Sequence, residues 1–134
     1  MLRGPQLAVS VALLLGSGLS FAQAKSAVPA HDPWSPQHID SLPAEIRNAI
    51  APFARACGGR LAAEHSFATY FQRGAAKLIA LHFEHLSCPN RAAICKAPGC
   101  LHQVYISTGG RYRLLRSSYV LELDLTQVKI PAGP

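Results

Sequence analysis

Four cysteines, three histidines and one glutamate are the residues here that could do chemistry. The cysteines are Cys57, Cys88, Cys95 and Cys100; the others are His82, Glu84, His85 and His102. An even number of cysteines in a small exported domain reads as two disulfides. Zinc is the rival use. The cysteine spacings are not the usual knuckle pair, and no C-x-x-C supports a thioredoxin-like role. Oxidised cysteines are not nucleophiles. The chain also lacks a G-x-S-x-G elbow and a P-loop, and its acids are too scattered for a paired-carboxylate glycosidase. The expectation is a protein that is not an enzyme and needs no cofactor.

Strand parity suggests how the cysteines pair. Alternating Ile79, Leu81 and Phe83 point inward in a strand over 76–86, which turns Cys88 outward. Cys100 shares the parity of Val104 and Ile106 in the following strand, taken as inward, and Cys57 lies on an apolar helix stripe. This favours Cys57–Cys100 across the layers and Cys88–Cys95 closing a loop. The rival pairing is Cys88–Cys100 with Cys57–Cys95, and a bulge near Cys88 would erase the argument.

The same parity sorts the histidines. His82 and Glu84 share the outward face, whereas His85 and His102 have inward parity and lie at adjoining strand ends. Two imidazoles without a third ligand do not make a tight zinc site, so no metal site is expected. A metal-binding protein built on His85 and His102 is the alternative reading.

The elements that position these residues follow from pattern. Arg3, the apolar run from Leu7 to Leu15, and Ala22-Gln23-Ala24 form a signal peptide over 1–24. Cleavage leaves about 110 residues, enough for one domain and without a transmembrane segment. The implied location is the periplasm or outside the cell. Residues 25–39, rich in Pro and His, read as a flexible leader that docks through Trp34.

A single domain over 40–128 then begins with a helix. Asp40 or Ser41 caps it, Leu42, Ile46, Ile50, Phe53 and Cys57 form its stripe, and Pro52 kinks it. Strands are expected over 66–71, 76–86, 101–107, 111–116 and 119–128, with a hairpin turn at Gly109-Gly110. Residues 129–134 are a tail. The fold class is α+β, one N-terminal helix on an antiparallel meander of four to five strands, in two layers with two disulfides.

The segment Phe67–Tyr112 resembles small exported bacterial proteins with a degenerate FG-GAP/VCBS-like hairpin. Gly99, Cys100, Val104, Tyr105, Ser107, Gly109, Gly110 and Tyr112 carry the resemblance. Where those proteins have an Asp-rich calcium loop, this chain has Gln72, Arg73, Gly74 and Ala75. The resemblance therefore implies the hairpin without calcium.

Charge supplies the leading functional expectation. The formal net charge is +6. Between Arg73 and Arg116 there are seven basic residues and one acid, Glu84. Arg91, Lys96 and Arg116 are expected to gather at the cysteine loop and to bind an acidic envelope component or acidic protein. An inhibitor that inserts this loop into an enzyme's cleft is a further alternative. Specific nucleic-acid recognition is not expected, because neither a reading helix nor an aromatic groove is present.

Overall fold

The computed structural model describes Gly4 and residues 33–132. The expected signal peptide (Gly4 apart), the expected leader up to residue 32 and residues 133–134 lie outside the described residues. Five strands form one antiparallel sheet: β1 (Ala68–Arg73), β2 (Ala76–His82), β3 (Cys95–Lys96), β4 (Gly99–Ser107) and β5 (Tyr112–Val120). β4 is the central strand. Its residues 102–107 pair with β2 on one edge and with β5 on the other, while Cys100 pairs with both Cys95 and Val120. β3 therefore continues the line of β2 along the same edge of β4. Gly109 and Gly110, both with positive φ (82° and 92°), turn the chain from β4 to β5 in the conformation glycine tolerates best.

Three short helices replace the single kinked helix expected: α1 (Gln37–Asp40), α2 (Ala44–Ile50) and α3 (Phe53–Ala56). Pro43 caps α2 and Pro52 caps α3, because neither proline has an N–H to donate to a preceding turn. The stripe itself keeps its phase. Leu42, Ile46, Ile50 and Cys57 are buried together, with Phe53 packed against them. The fold also starts earlier than residue 40. Ser35 exchanges backbone hydrogen bonds with Ala63, and Ile39 is buried, so Ser35–Ile39 belongs to the domain and not to a leader. Trp34 is half exposed.

Both faces of the sheet are buried, which corrects the expected two-layer arrangement. Ile79, Leu81, Leu101 and Tyr105 face the helices. Leu78, Ala80, Val104 and Ile106 form a second cluster with Leu123 and Val128. The cross-strand pairs Ile79↔Tyr105 and Ala80↔Val104 show that Ile79 and Val104 point to opposite sides.

The second face is covered by the C-terminal segment, which is not the strand expected over 119–128. β5 runs without a break to Val120, and a 3-10 turn follows at Leu125–Gln127. Local bonds satisfy that backbone without a sheet partner. Thr126 donates both its N–H and its hydroxyl to Asp124 Oδ1, at 2.9 and 2.6 Å. The Arg73 guanidinium donates to the carbonyls of Leu125 and Val128. Burial of Leu123, Val128 and part of Ile130 extends the domain into the expected tail.

Close approach fixes one glycine. A Cβ on Gly99 would lie 2.2 Å from the Val120 carbonyl oxygen and 2.6 Å from the Leu121 nitrogen. Both are backbone atoms and cannot swing away. Gly99→Ala is expected to destabilise the protein by about 3 kcal/mol, the upper end for overpacking. A chemical denaturation curve that matches wild type would contradict this.

Candidate metal centre

The disulfides are Cys57–Cys88 and Cys95–Cys100. Neither pairing weighed from parity is formed. β2 ends at His82, and a 3-10 turn at Phe83–His85 breaks the alternation before Cys88 is reached. Cys88 instead meets Cys57 at the end of α3. Cys95 and Cys100 face each other directly across the β3–β4 ladder. Two disulfides accord with an oxidising compartment. Among the described residues no helix is long and apolar enough to cross a membrane.

The reversal of face at β4 has a chemical consequence. His102 lies opposite His82 on one side and Ser118 on the other, so the three form a row across the sheet. His102 thus joins His82 and Glu84, contrary to its expected parity. Potential donor atoms of His82, Glu84 and His102 all lie within 4.8 Å of one another. They open onto a pocket of ≈ 290 Å³ whose lining includes Ser66, Thr69, His85 and Glu122.

Within this group the hydrogen bonding is incomplete. His82 Nε2 lies 2.9 Å from Thr69 Oγ1, and its Nδ1 lies 3.0 Å from His102 Nδ1. At such distances one atom of each pair donates and the other accepts. Burial, reinforced by the neighbouring His102, pushes the His82 imidazole pKa down and favours its neutral, ligating form. His102 is 2% exposed. Its Nε2 and the Glu84 Oε2 are buried without hydrogen-bond partners, as is Ser118 Oγ. Nε2 and Oε2 stand 3.4 Å apart, within ion-pair distance. Two ligands about 2.0–2.1 Å from one tetrahedral ion would themselves be separated by about 3.3 Å.

His85 takes a supporting position. Its Nδ1 is 2.9 Å from Glu64 Oε2, and its Nε2 is 3.8 Å from Glu84 Oε1. The expected His85–His102 pair is therefore bridged by Glu84, which reaches His102 with its other oxygen.

The basic trio does not make one patch. Arg91 folds back, donating to the carbonyls of Leu86 and Glu84 at 3.3 and 3.4 Å. Lys96 places its ammonium 4.4 Å from the centre of the Tyr119 ring. Lys96 pairs with Gly99 and Arg116 with Val104, positions of opposite parity on β4, so these two side chains leave opposite faces of the sheet.

No family model, curated protein or solved structure matches the chain. The site's own geometry is what bears on function.

Proposed function

We propose that this is an exported, disulfide-stapled α+β domain that binds a divalent transition-metal ion through His82, Glu84 and His102. The observation that carries this reading is the pair of buried, unpartnered atoms, His102 Nε2 and Glu84 Oε2, 3.4 Å apart. Buried polar atoms left unpaired cost about 1–3 kcal/mol each, and a shared cation relieves both. Two imidazoles and one carboxylate suit zinc, copper or nickel. Calcium and magnesium call for all-oxygen shells. With His82 Nε2 held by Thr69, His82 would ligate through Nδ1, exchanging its hydrogen bond to His102 Nδ1 for the metal, and His85, 3.8 Å from Glu84 Oε1, would orient the carboxylate as supporting residues do in metal sites.

Zinc titration of chelator-treated protein by calorimetry tests the reading. One equivalent is expected to bind to the wild type. His102→Ala and Glu84→Gln should each weaken binding by more than about 100-fold, beyond the 10–100-fold typical of residues that only orient a ligand. Glu84→Gln keeps the side-chain shape and separates lost ligation from lost packing. Wild-type protein that takes up no zinc, copper or nickel would remove the proposal.

A further inference from the structure

The two disulfides occupy different environments. Cys57 and Cys88 are 6% and 5% exposed and belong to the core, whereas Cys95 and Cys100 are partly exposed at the end of the sheet. Beside the exposed pair lies Arg91, also exposed, whose Nη2 is 3.5 Å from Cys95 Sγ and 3.7 Å from Cys100 Sγ. Among the described residues no carboxylate lies within ion-pair distance of this guanidinium. Its other contacts are carbonyl oxygens, so its charge remains available to the sulfurs.

We infer that Cys95–Cys100 is a thiol–disulfide exchange site for an external thiol, with Arg91 holding the departing thiolate. An external thiolate attacks one of the two sulfurs. A sulfur–sulfur bond forms to the attacker as the Cys95–Cys100 bond breaks, and the electron pair leaves on the other sulfur beside Arg91. A second external thiolate then attacks the external sulfur of the mixed disulfide and releases the remaining cysteine as a thiolate. The protein has gained two electrons, two external thiols have become one disulfide, and any proton the new thiolates take up comes from water. A guanidinium near either leaving sulfur lowers its thiol pKa and speeds its departure.

The fold can accommodate this opening. Cys95 and Cys100 are five residues apart in sequence, against 31 for the other pair, so less of the chain's freedom is restored when the short ring opens. Local backbone pairing persists without the sulfurs: the Leu101 N–H donates to the Ile94 carbonyl at 2.7 Å, and Lys96 pairs with Gly99. The reacting sulfurs are not metal ligands, and Arg91 touches the proposed metal site only at the Glu84 backbone carbonyl.

The test is equilibration of the folded protein in buffers of reduced and oxidised glutathione, followed by acid quench, alkylation and peptide mass spectrometry. Cys95 and Cys100 are expected to become alkylated together, at a poise that leaves Cys57 and Cys88 oxidised and the near-ultraviolet circular dichroism intact. Arg91→Gln should slow the exchange by about threefold to tenfold, and Arg91→Lys should restore most of the rate. Simultaneous opening of both disulfides, earlier opening of Cys57–Cys88, or an unchanged rate in Arg91→Gln would each overturn the inference.

Discussion

Replacing Phe83 with alanine is expected to cost about 3–5 kcal/mol, a large share of what a domain this size has to lose. Phe83 is fully buried. Its ring centre lies 4.9 Å from that of Phe53 and 5.5 Å from that of Phe67, so it joins α3, the end of β2 and the segment leading into β1. Alanine would leave a cavity that three separate elements would have to close, and close packing allows only partial relaxation. Phe83 also begins the 3-10 turn that presents Glu84 to His102. The same substitution should therefore weaken zinc binding, although residue 83 supplies no donor. Phe83→Leu, which fills more of the space, should recover over half of the lost stability. Urea unfolding followed by circular dichroism measures both variants. A loss below about 1 kcal/mol in Phe83→Ala would mean that this aromatic cluster does not organise the core.

Removing the buried disulfide should be almost as costly. The bond between Cys57 and Cys88 closes a loop with a sequence separation of 31. The chain-entropy account assigns such a loop about 3.7 kcal/mol, against about 2 kcal/mol for a ring the size of Cys95–Cys100. The double variant Cys57→Ala/Cys88→Ala leaves no odd thiol to mispair, so its unfolding curve reads the lost crosslink together with two small cavities. Cys95→Ala/Cys100→Ala is the comparison. The order of the two losses is the checkable content. If the Cys95/Cys100 variant proved the less stable, the short ring would be holding the fold in a way that closure entropy does not describe.

These effects are large because the domain is held from both sides of one sheet. The helical side contributes Ile46, Ile50, Phe53, Phe67 and Phe83; the other side is closed by Leu123 and Val128. Arg73 reaches from the end of β1 to the carbonyls of Leu125 and Val128. The C-terminal segment is thereby kept over the face that also carries His82 and His102. Glu122 and Leu123 line the pocket beside His82, Glu84 and His102 from this segment. Its placement shapes both the second core and the mouth of the site.

Part of this was legible in the residues alone. The stripe from Leu42 to Cys57 keeps helical spacing and is buried, because periodicity reports which side of a segment meets the core whether or not prolines divide it. Gly109 and Gly110 marked the β4–β5 turn, because only glycine enters the positive-φ region without strain. Four cysteines in a short chain pointed to two disulfides. The candidate site was half visible. Alternation puts His82 and Glu84 on a shared face, but the same reading gives His102 the opposite one.

That error had a readable warning. Leu78, Ile79, Ala80 and Leu81 form an unbroken apolar run, the pattern of a strand buried on both faces. Taking only one face as buried put Ile79 and Val104 on the same side and moved His102 away from His82. Alternation fixes which residues of one strand share a face. It does not say which face of the next strand is opposite, because that depends on a register set by long-range pairing. The pairing of Cys57 with Cys88 was unreadable for a related reason, since a 3-10 turn had already ended the strand whose parity would have oriented Cys88. The sequence by itself determined the apolar helical stripe, the glycine turn and the number of crosslinks, all properties of local spacing and residue type. Only the tertiary structure decided which cysteines meet and that two histidines and a glutamate converge, because both depend on contacts between segments whose separation in the chain carries no directional information.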